Sequence, residues 1–470
     1  MEIVGRYEEQ RALQQYFESE SPEFVAVYGR RRIGKTFLIK EFFKERFSFY
    51  ISGLANATKE EQLENFNAAL IEYGKTPYAQ AKNWLEAFRQ LIHLLENSRK
   101  RGKKVIFIDE LPWFDTPRSG FITGLEFFWN TWASSRPDIL LIACGSATSW
   151  MINHLLKNRG GLHNRVTRRM AIEPFCLSEC EEFFRHKKIV FDRKSIVESY
   201  MIFGGIPFYL NMFEKGLSVS QNIDNLCFTK NAALKEEFSI LYSSLFKHAE
   251  NHILVINALA KKKMGLTREE IITETALQGG GLTAILEELE QCGFLCSYNA
   301  YGKRIKERLY QLIDFYSLFY LNFIKKSKGT VPNFWTNNID SAQRRAWSGY
   351  AFEQVCMGHI KQIRQKLGIS GVVNYVASWR SKETENGAQV DLLLDRNDGV
   401  INLCEMKYAN NEFTIDKKYD EILRNKRAAF IEESKTRKSV HITMVTTYGV
   451  KRNMYWGYIQ SEVTVNELFM

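Results

Sequence analysis

Five short apolar runs punctuate the first third of the chain: FVAVY at 24–28, FYIS at 49–52, VIFID at 105–109, ILLIACG at 139–145 and RMAIEPF at 169–175. Runs this short and this continuous are the pattern of strands buried on both faces. Helical patterns lie between them. One opens at 34–46, and residues 81–97 repeat apolar side chains at i, i+3 and i+4. The alternation predicts a parallel α/β sheet covered by helices on both sides. From Ser178 to about Leu245 helical patterns dominate. Residues 247–261 are amphipathic, Thr267 opens a second helix with the capping box Thr-Arg-Glu-Glu, and Leu282–Cys292 makes a third. FLCSYNAYGKRIKERLYQLI then reads as a hairpin turning at Asn299–Gly302. The aromatic segment 310–324 is assigned to the core, because an exposed strip of that size would aggregate. KKSKGTVPN marks a boundary near 325–340. Beyond it the pattern predicts a helix over Trp347–Ile363 and a strand over 371–380. Two apolar runs, 388–395 and 400–407, then flank the turn Arg396-Asn397-Asp398-Gly399, and Asp-Gly between such runs is a hairpin signal. A charged helix at 416–435 and strands at 441–447 and 463–468 complete the chain.

The segment after the first strand is Gly29-Arg30-Arg31-Arg32-Ile33-Gly34-Lys35-Thr36, a GxxxxGKT loop between a strand and a helix. Its glycines let the main chain wrap a phosphate, its amides point inward, and the helix behind it offers its positive end. In such a loop Lys35 reaches the β- and γ-phosphates of ATP and Thr36 holds Mg²⁺ through its hydroxyl. The third strand ends in Asp109-Glu110. Asp109 is placed to hold the Mg²⁺ shell and Glu110 to polarise the attacking water. Two further residues have two readings each. Ser146, at the end of ILLIACGS, either senses the γ-phosphate or caps the helix that follows. Arg165, in NRVTRR, either offsets transition-state charge in its own or a neighbour's site or lies in a solvated basic loop. Arg30, Arg31 and Arg32 either touch phosphate or form a wet rim.

The opening IVGRYEEQRAL, the loop GRRRIGKT, the strand VIFIDELPW, the strand end CGS and the later YMIFGGIPFYL together resemble the archaeal-type ATPase family, which is similar to AAA+ and STAND ATPases. The resemblance covers about the first half of the chain. It implies a P-loop core with a small helical lid, ATP and Mg²⁺ as cofactors, and Gly5 and Arg6 close to the adenine. The cofactor-binding set is then Gly5, Arg6, the loop from Gly29 through Thr36, Phe37 and Ser146. Gly204-Gly205-Ile206-Pro207 matches the lid hallmark, although a helix stop explains those residues equally well.

On a strand, residues two apart share a face, so Glu405 and Lys407 project together with Met406 opposite, and Asp391 on the neighbouring strand can approach Glu405. Two carboxylates at that distance call for a cation, and Mg²⁺ suits an all-oxygen site. Lys407 would position a water or offset developing charge. This arrangement resembles the PD-(D/E)XK nuclease superfamily. Asp391 matches its Asp, Glu405-Met406-Lys407 its ExK, and Glu353 the glutamate of the preceding helix, so Glu353, Asp391 and Glu405 are the expected metal ligands. One departure is that Asp391 follows Val rather than Pro. The fold class expected is therefore α/β, in four parts: a P-loop ATPase core over 1–176, a helical lid over 177–246, a winged-helix module over 247–325 and a restriction-endonuclease-like domain over 340–470.

Charge changes this picture in one place. The net charge is +10, distributed as +6 over residues 1–170, −2 over 171–320 and +6 over 321–470. The two ends are better placed to meet phosphate than the middle is. The third helix of the expected winged helix, LTAILEELEQ, carries three glutamates and no Lys or Arg, and would repel a phosphate-lined groove. The wing, with Lys303, Arg304, Lys306 and Arg308, is basic and leaves weak contact with a nucleic-acid backbone open, but a structural or partner-docking role is expected of the module as a whole. Lys417, Lys418, Arg424, Lys426 and Arg427 on the late helix either lie by nucleic acid or form a solvated face. Tyr455, Trp456 and Tyr458 either stack bases or pack. Nucleic acid, DNA rather than RNA, is the expected partner, with a homo-oligomer or a protein partner also open. No apolar segment is long enough to span a bilayer and no signal core opens the chain, so a cytoplasmic protein is expected. The eight scattered cysteines form no CxxC pair and read as free thiols.

Overall fold

The computed structural model describes residues 2–470 except 100, 159, 247, 300, 303–307, 328–332 and 382–387. Lys303, Arg304 and Lys306 of the expected wing, Ala300 in its turn and part of the 325–340 boundary lie outside the described residues. The chain divides into two compact units, Met1–Pro174 and Phe175–Met470. Among the described residues no helix is long and apolar enough to cross a membrane.

The first unit is a five-stranded sheet of β1 (Glu23–Tyr28), β2 (Phe47–Ser52), β3 (Lys104–Asp109), β4 (Ile139–Gly145) and β5 (Arg168–Ala171), in the order β2-β3-β4-β1-β5 and parallel throughout. β3 and β4 are buried along their whole length, in keeping with the apolar runs Val105–Ile108 and Ile139–Cys144 at their centres. On one face Trp84, Phe88 and Leu91 of the helix Trp84–Glu96 meet Phe121, Leu125 and Phe128 of the helix Phe121–Thr131 in one apolar cluster. The fifth strand stops at Ala171, short of the expected 175. It is an edge strand pairing only with β1, three of its four residues are exposed, and Pro174 has no N–H to extend the ladder. With β4 inserted between β1 and β3, Tyr28 pairs with Gly145 and Ile108 with Ala143. The carboxyl ends of those three strands therefore lie side by side, where open α/β sheets bind ligands.

The second unit begins with helices, among them Leu177–His186 and Arg193–Phe203. Gly204 and Gly205 end the latter with φ of 61° and 68°. A Cβ on Gly205 would stand 2.1 Å from the carbonyl oxygen of Phe175, so that close approach needs glycine. The helices Ala249–Leu259, Arg268–Thr275 and Gly279–Gln291 follow, then β7 (Leu295–Tyr298) and β8 (Leu309–Leu312) as an antiparallel pair with β6 (Leu266–Thr267) added to β8. The Thr267 box forms: its hydroxyl accepts from Glu270 N–H while Glu270 accepts from Thr267 N–H. The aromatic segment 310–324 packs largely into the core. It opens in β8, turns at Asp314, which caps Phe315–Phe319, and ends in a wide turn over Tyr320–Ile324, with Tyr316, Phe319 and Phe323 buried.

The last sheet has the order β13-β12-β11-β10-β9, with β9 (Asn374–Arg380), β10 (Gln389–Arg396) and β11 (Val400–Lys407) antiparallel, and β11, β12 (Ser439–Thr446) and β13 (Ser461–Thr464) parallel. The strand expected over 463–468 is overturned beyond Thr464. There the chain turns into a 3-10 helix because Glu467 accepts from the N–H and hydroxyl of Thr464 in a capping box. The helix expected over 347–363 runs from Ala342 to Gly358 and restarts at Ile360. At the break His359 is buried. Its Nδ1–H donates to Val355 O at 2.7 Å and its Nε2 accepts from Leu177 N–H at 3.1 Å, which requires the neutral ring. All eight cysteines are free, six of them buried.

Burial lowers the pKa of His359 below its ordinary value. The unfolded chain therefore binds the ring proton more readily, and stability is expected to fall as the pH drops through about 6.5 and on to the folded pKa, at up to about 1.4 kcal/mol per pH unit. Urea unfolding of wild type and His359→Gln between pH 5 and 8 tests this. The wild-type slope below pH 6.5 should be steeper, and equal slopes would refute it.

Candidate nucleotide site and second-unit carboxylate cluster

β1 ends at Tyr28 and the chain turns through Gly29, whose φ of 142° and whose approach to Ile172 exclude any Cβ: one placed there would lie 2.3 Å from the Ile172 carbonyl oxygen. Arg32 and Gly34 are left-handed, and the helix Lys35–Phe43 starts directly behind the loop. The buried Lys35 bends back, its Nζ donating to Gly29 O at 2.8 Å and Arg30 O at 2.9 Å. A lysine held by two loop carbonyls at this point is a cation kept in place for an anion. The Thr36 hydroxyl donates to Asp109 Oδ2 at 2.8 Å across the strand ends. Asp109 is buried, which pushes its carboxyl pKa up while the Thr36 hydrogen bond pulls it back. Its Oδ1 is buried without a hydrogen-bond partner among the described residues. A hydroxyl beside a carboxylate with an unmet buried oxygen fits Mg²⁺, which takes one or two protein oxygens and completes its shell with phosphate and water.

Glu110 is left-handed, with φ 47°, and its carboxylate turns to Ser146. Oε1 accepts from the Ser146 hydroxyl at 2.7 Å and Oε2 from the Ser146 N–H at 3.2 Å. The capping alternative for Ser146 is corrected by this. The following helix starts at Thr148 with Ala147 before it, no side chain caps it, and the serine hydroxyl is spent on Glu110. Arg6 is left-handed and buried, with Nη2 donating to Ile33 O of the phosphate loop at 3.3 Å and Nη1 meeting Glu9 at 3.3 Å. Gly5 O accepts from Gln10 at 2.8 Å. Thus the opening segment lies against the loop. Arg30 is buried, Arg31 and Arg32 are half-buried, and Phe37 is exposed. The side chain of Arg165 is exposed, and its N–H donates to Leu162 O at 3.0 Å.

In the second unit the β10–β11 ladder runs as far as Leu392 opposite Cys404, and Asp391 and Glu405 are the next residues of the two strands, beside an irregularity of β10 between Val390 and Leu393. Glu405 is buried. Its Oε1 accepts from Lys426 Nζ at 2.5 Å and its Oε2 from the Tyr419 hydroxyl at 3.1 Å, with Lys407 Nζ 3.7 Å from the same oxygen. Asp391 Oδ1 accepts from the Gln389 side-chain amide at 2.5 Å. Glu353 has its pKa pushed up to about 7, first by burial and then by the charge of Asp391, with Glu405 adding a smaller push and Lys407 and Lys263 pulling it back. Among the described residues no three His, Cys, Asp or Glu side chains gather so as to hold a metal ion. The expected ligands Glu353, Asp391 and Glu405 thus do not fit a divalent ion as they stand, because Glu405 already has donors on both oxygens.

Tyr419, Lys426, Gln389 and Lys263 were not anticipated as members of this cluster. One signal for two of them was present: Tyr419 and Lys426 are seven residues apart on the helix Lys417–Ser434 and so share a face. The aromatic alternatives resolve toward packing. Tyr455, Trp456 and Tyr458 lie against the sheet core, and the guanidinium of Arg452 sits 3.5 Å from the Trp456 centroid and that of Arg424 4.3 Å from the Tyr458 centroid.

Residues 3–213 match the family described as an ATPase domain predominantly from Archaea. A curated relative from Methanocaldococcus jannaschii, called uncharacterized protein MJECL04, is 23% identical over 443 residues, which is 92% of this chain and 93% of the relative. Among solved structures, the Walker-type ATPase PABY2304 of Pyrococcus abyssi aligns with a TM-score of 0.51 at 19% identity, over 68% of this chain and 96% of its own. The ORC2 protein of Aeropyrum pernix, solved in ADPNP–ADP complexes, aligns with a TM-score of 0.42 at 13% identity, over 70% of this chain and 95% of its own. The likeness to the Pyrococcus protein is one of fold. Together with the family match it sets the parallel-sheet core of the first unit among P-loop ATPase domains of the archaeal type.

Proposed function

We propose that this chain binds ATP with Mg²⁺ in its first unit and hydrolyses it, and that nucleotide binding regulates a C-terminal nuclease-like domain acting on nucleic acid, DNA rather than RNA. The observation that carries the ATPase reading is the gathering of Lys35, Thr36, Asp109, Glu110 and Ser146 at the ends of β1, β3 and β4. Lys35 leaves the two loop carbonyls to meet the β- and γ-phosphates. Thr36 and Asp109 would hold Mg²⁺, which would supply positive charge to neutralise phosphate oxygens. Glu110 orients the attacking water once Ser146 releases its carboxylate, and the freed Ser146 hydroxyl turns to the γ-phosphate. Arg165, exposed on its loop, is available to this site or to that of another copy in a homo-oligomer.

The domain assignment accompanying this reading is a core over 1–176, a lid over 177–246, a winged helix over 247–325 and a nuclease-like domain over 340–470. Three helices followed by β7 and β8 support the winged helix. The mixed order of β9 to β13, with Asp391, Glu405 and Lys407 on adjacent strands, supports the nuclease-like fold. A second reading keeps the ATP switch but makes the C-terminal domain a catalytically silent partner-binding module. The Lys426–Glu405 pair favours it, since that lysine stands where a metal would have to bind.

Titration calorimetry of Mg²⁺–ATP into the full chain should show uptake of one nucleotide per chain, and no heat at any concentration would refute the ATPase reading. Incubation with single- and double-stranded DNA and RNA, Mg²⁺ or Mn²⁺ and ATP separates the two readings. Cleavage that Asp391→Ala abolishes selects the nuclease, and intact substrates select the silent module.

A further inference from the structure

Three carboxylates of the second unit, Glu353, Asp391 and Glu405, stand among three ammonium groups. Lys426 and Lys407 approach Glu405 directly, and Lys407 and Lys263 act on Glu353. Both oxygens of Glu405 and one of Asp391 already meet donors. Lys426, Tyr419 and Lys407 cover both oxygens of Glu405, and Gln389 covers Oδ1 of Asp391. These donors are held by rigid elements. Asp416 caps the helix Lys417–Ser434 by accepting from Tyr419 N–H at 2.8 Å, and Leu423 and Phe430 bury its inner stripe. Tyr419 and Lys426 lie two turns apart on the flank of that stripe. Lys426 is thus delivered to Glu405 by a packed helix, with four-fifths of its side chain buried. A buried carboxylate needs a counter-charge and satisfied lone pairs, and here the chain supplies both.

We propose that Lys426 is the resident cation of this cluster: a positioning residue that takes the seat of a divalent ion and makes the second unit's acidic pocket metal-independent. Lys426 occupies Oε1 of Glu405 at 2.5 Å, so a doubly charged ion binding that carboxylate would have to displace it. The consequence for function is that any hold of this pocket on a phosphate group comes through Lys407 and Lys426 and needs no metal. The proposal deepens the silent-module reading and stands on side chains of the second unit, so it does not depend on ATP binding by the first.

Electron paramagnetic resonance of Mn²⁺ with the nucleotide-free full chain tests it. Wild type and Glu405→Gln should take up the same amount of Mn²⁺, because any ion bound by the first unit is common to both. Lys426→Met should gain one Mn²⁺ per chain, and Glu405→Gln in that background should remove it. Lys426→Arg should behave as wild type. Mn²⁺ uptake by wild type that Glu405→Gln abolishes overturns the proposal, as does a folded Lys426→Met variant that gains none. Should Lys426→Met fail to fold, the comparison of wild type with Glu405→Gln decides alone: equal uptake upholds the proposal and Glu405-dependent uptake overturns it. DNA cleavage and ATP uptake are separate measurements, so failure of this assignment leaves the ATPase reading standing.

Discussion

Lys35→Ala is expected to weaken ATP binding at least about 100-fold, close to 3 kcal/mol, which is the scale of a hydrogen bond from a charged donor to a charged acceptor. The loss follows from position. Lys35 is buried, it is the first residue of the helix behind the loop, and two carbonyl oxygens 2.8 and 2.9 Å away already orient its ammonium group. ATP should lose more affinity than ADP, because the lysine reaches toward the γ-phosphate. Parallel calorimetric titrations of both nucleotides into wild type and variant measure this. Thermal melting of the variant checks that the two freed loop carbonyls, Gly29 O and Arg30 O, have not cost the fold. Equal affinity of wild type and variant for ATP would remove the phosphate loop from the account.

Glu110→Gln is expected to lower the rate of ATP hydrolysis by about 100- to 10,000-fold while leaving ATP affinity within a few fold, the range over which a positioned general base acts. The substitution is informative because of Ser146. Gln can keep both contacts, its amide oxygen accepting from the Ser146 N–H in place of Oε2 and its NH2 donating to the Ser146 hydroxyl oxygen in place of Oε1, so the local packing survives. What disappears is the carboxylate that polarises water. Steady-state phosphate release at saturating Mg²⁺–ATP gives the readout, and an unchanged rate would assign the base elsewhere.

Much of the first unit was legible because its determinants are local. An apolar run as short as ILLIACG, bounded by Pro137-Asp138 and Gly145-Ser146, reads as a strand covered on both faces, and β4 is buried from end to end. GxxxxGKT announces itself through its first glycine, since Gly29 takes a φ of 142° and meets the Ile172 carbonyl where no Cβ fits. The second unit was legible to the same depth: the hairpin of β10 and β11, the Thr267 capping box and the helix at 417–434 each depend on residues within a few positions of one another. Where local signals competed, the chain followed the stronger one, as when the Thr464–Glu467 box ended β13 early.

The sequence by itself determined the elements, the phosphate loop and the acidic ends of the strands, since these are properties of neighbours along the chain. Only the tertiary structure decided which partners those groups meet. Ser146 lies 36 residues from the glutamate it holds, and Lys426 lies 21 from the carboxylate it neutralises. The physical reason is that hydrogen bonds and ion pairs act over a few ångströms of space, and separation along the chain does not give that distance until strand order and helix packing have brought the side chains together.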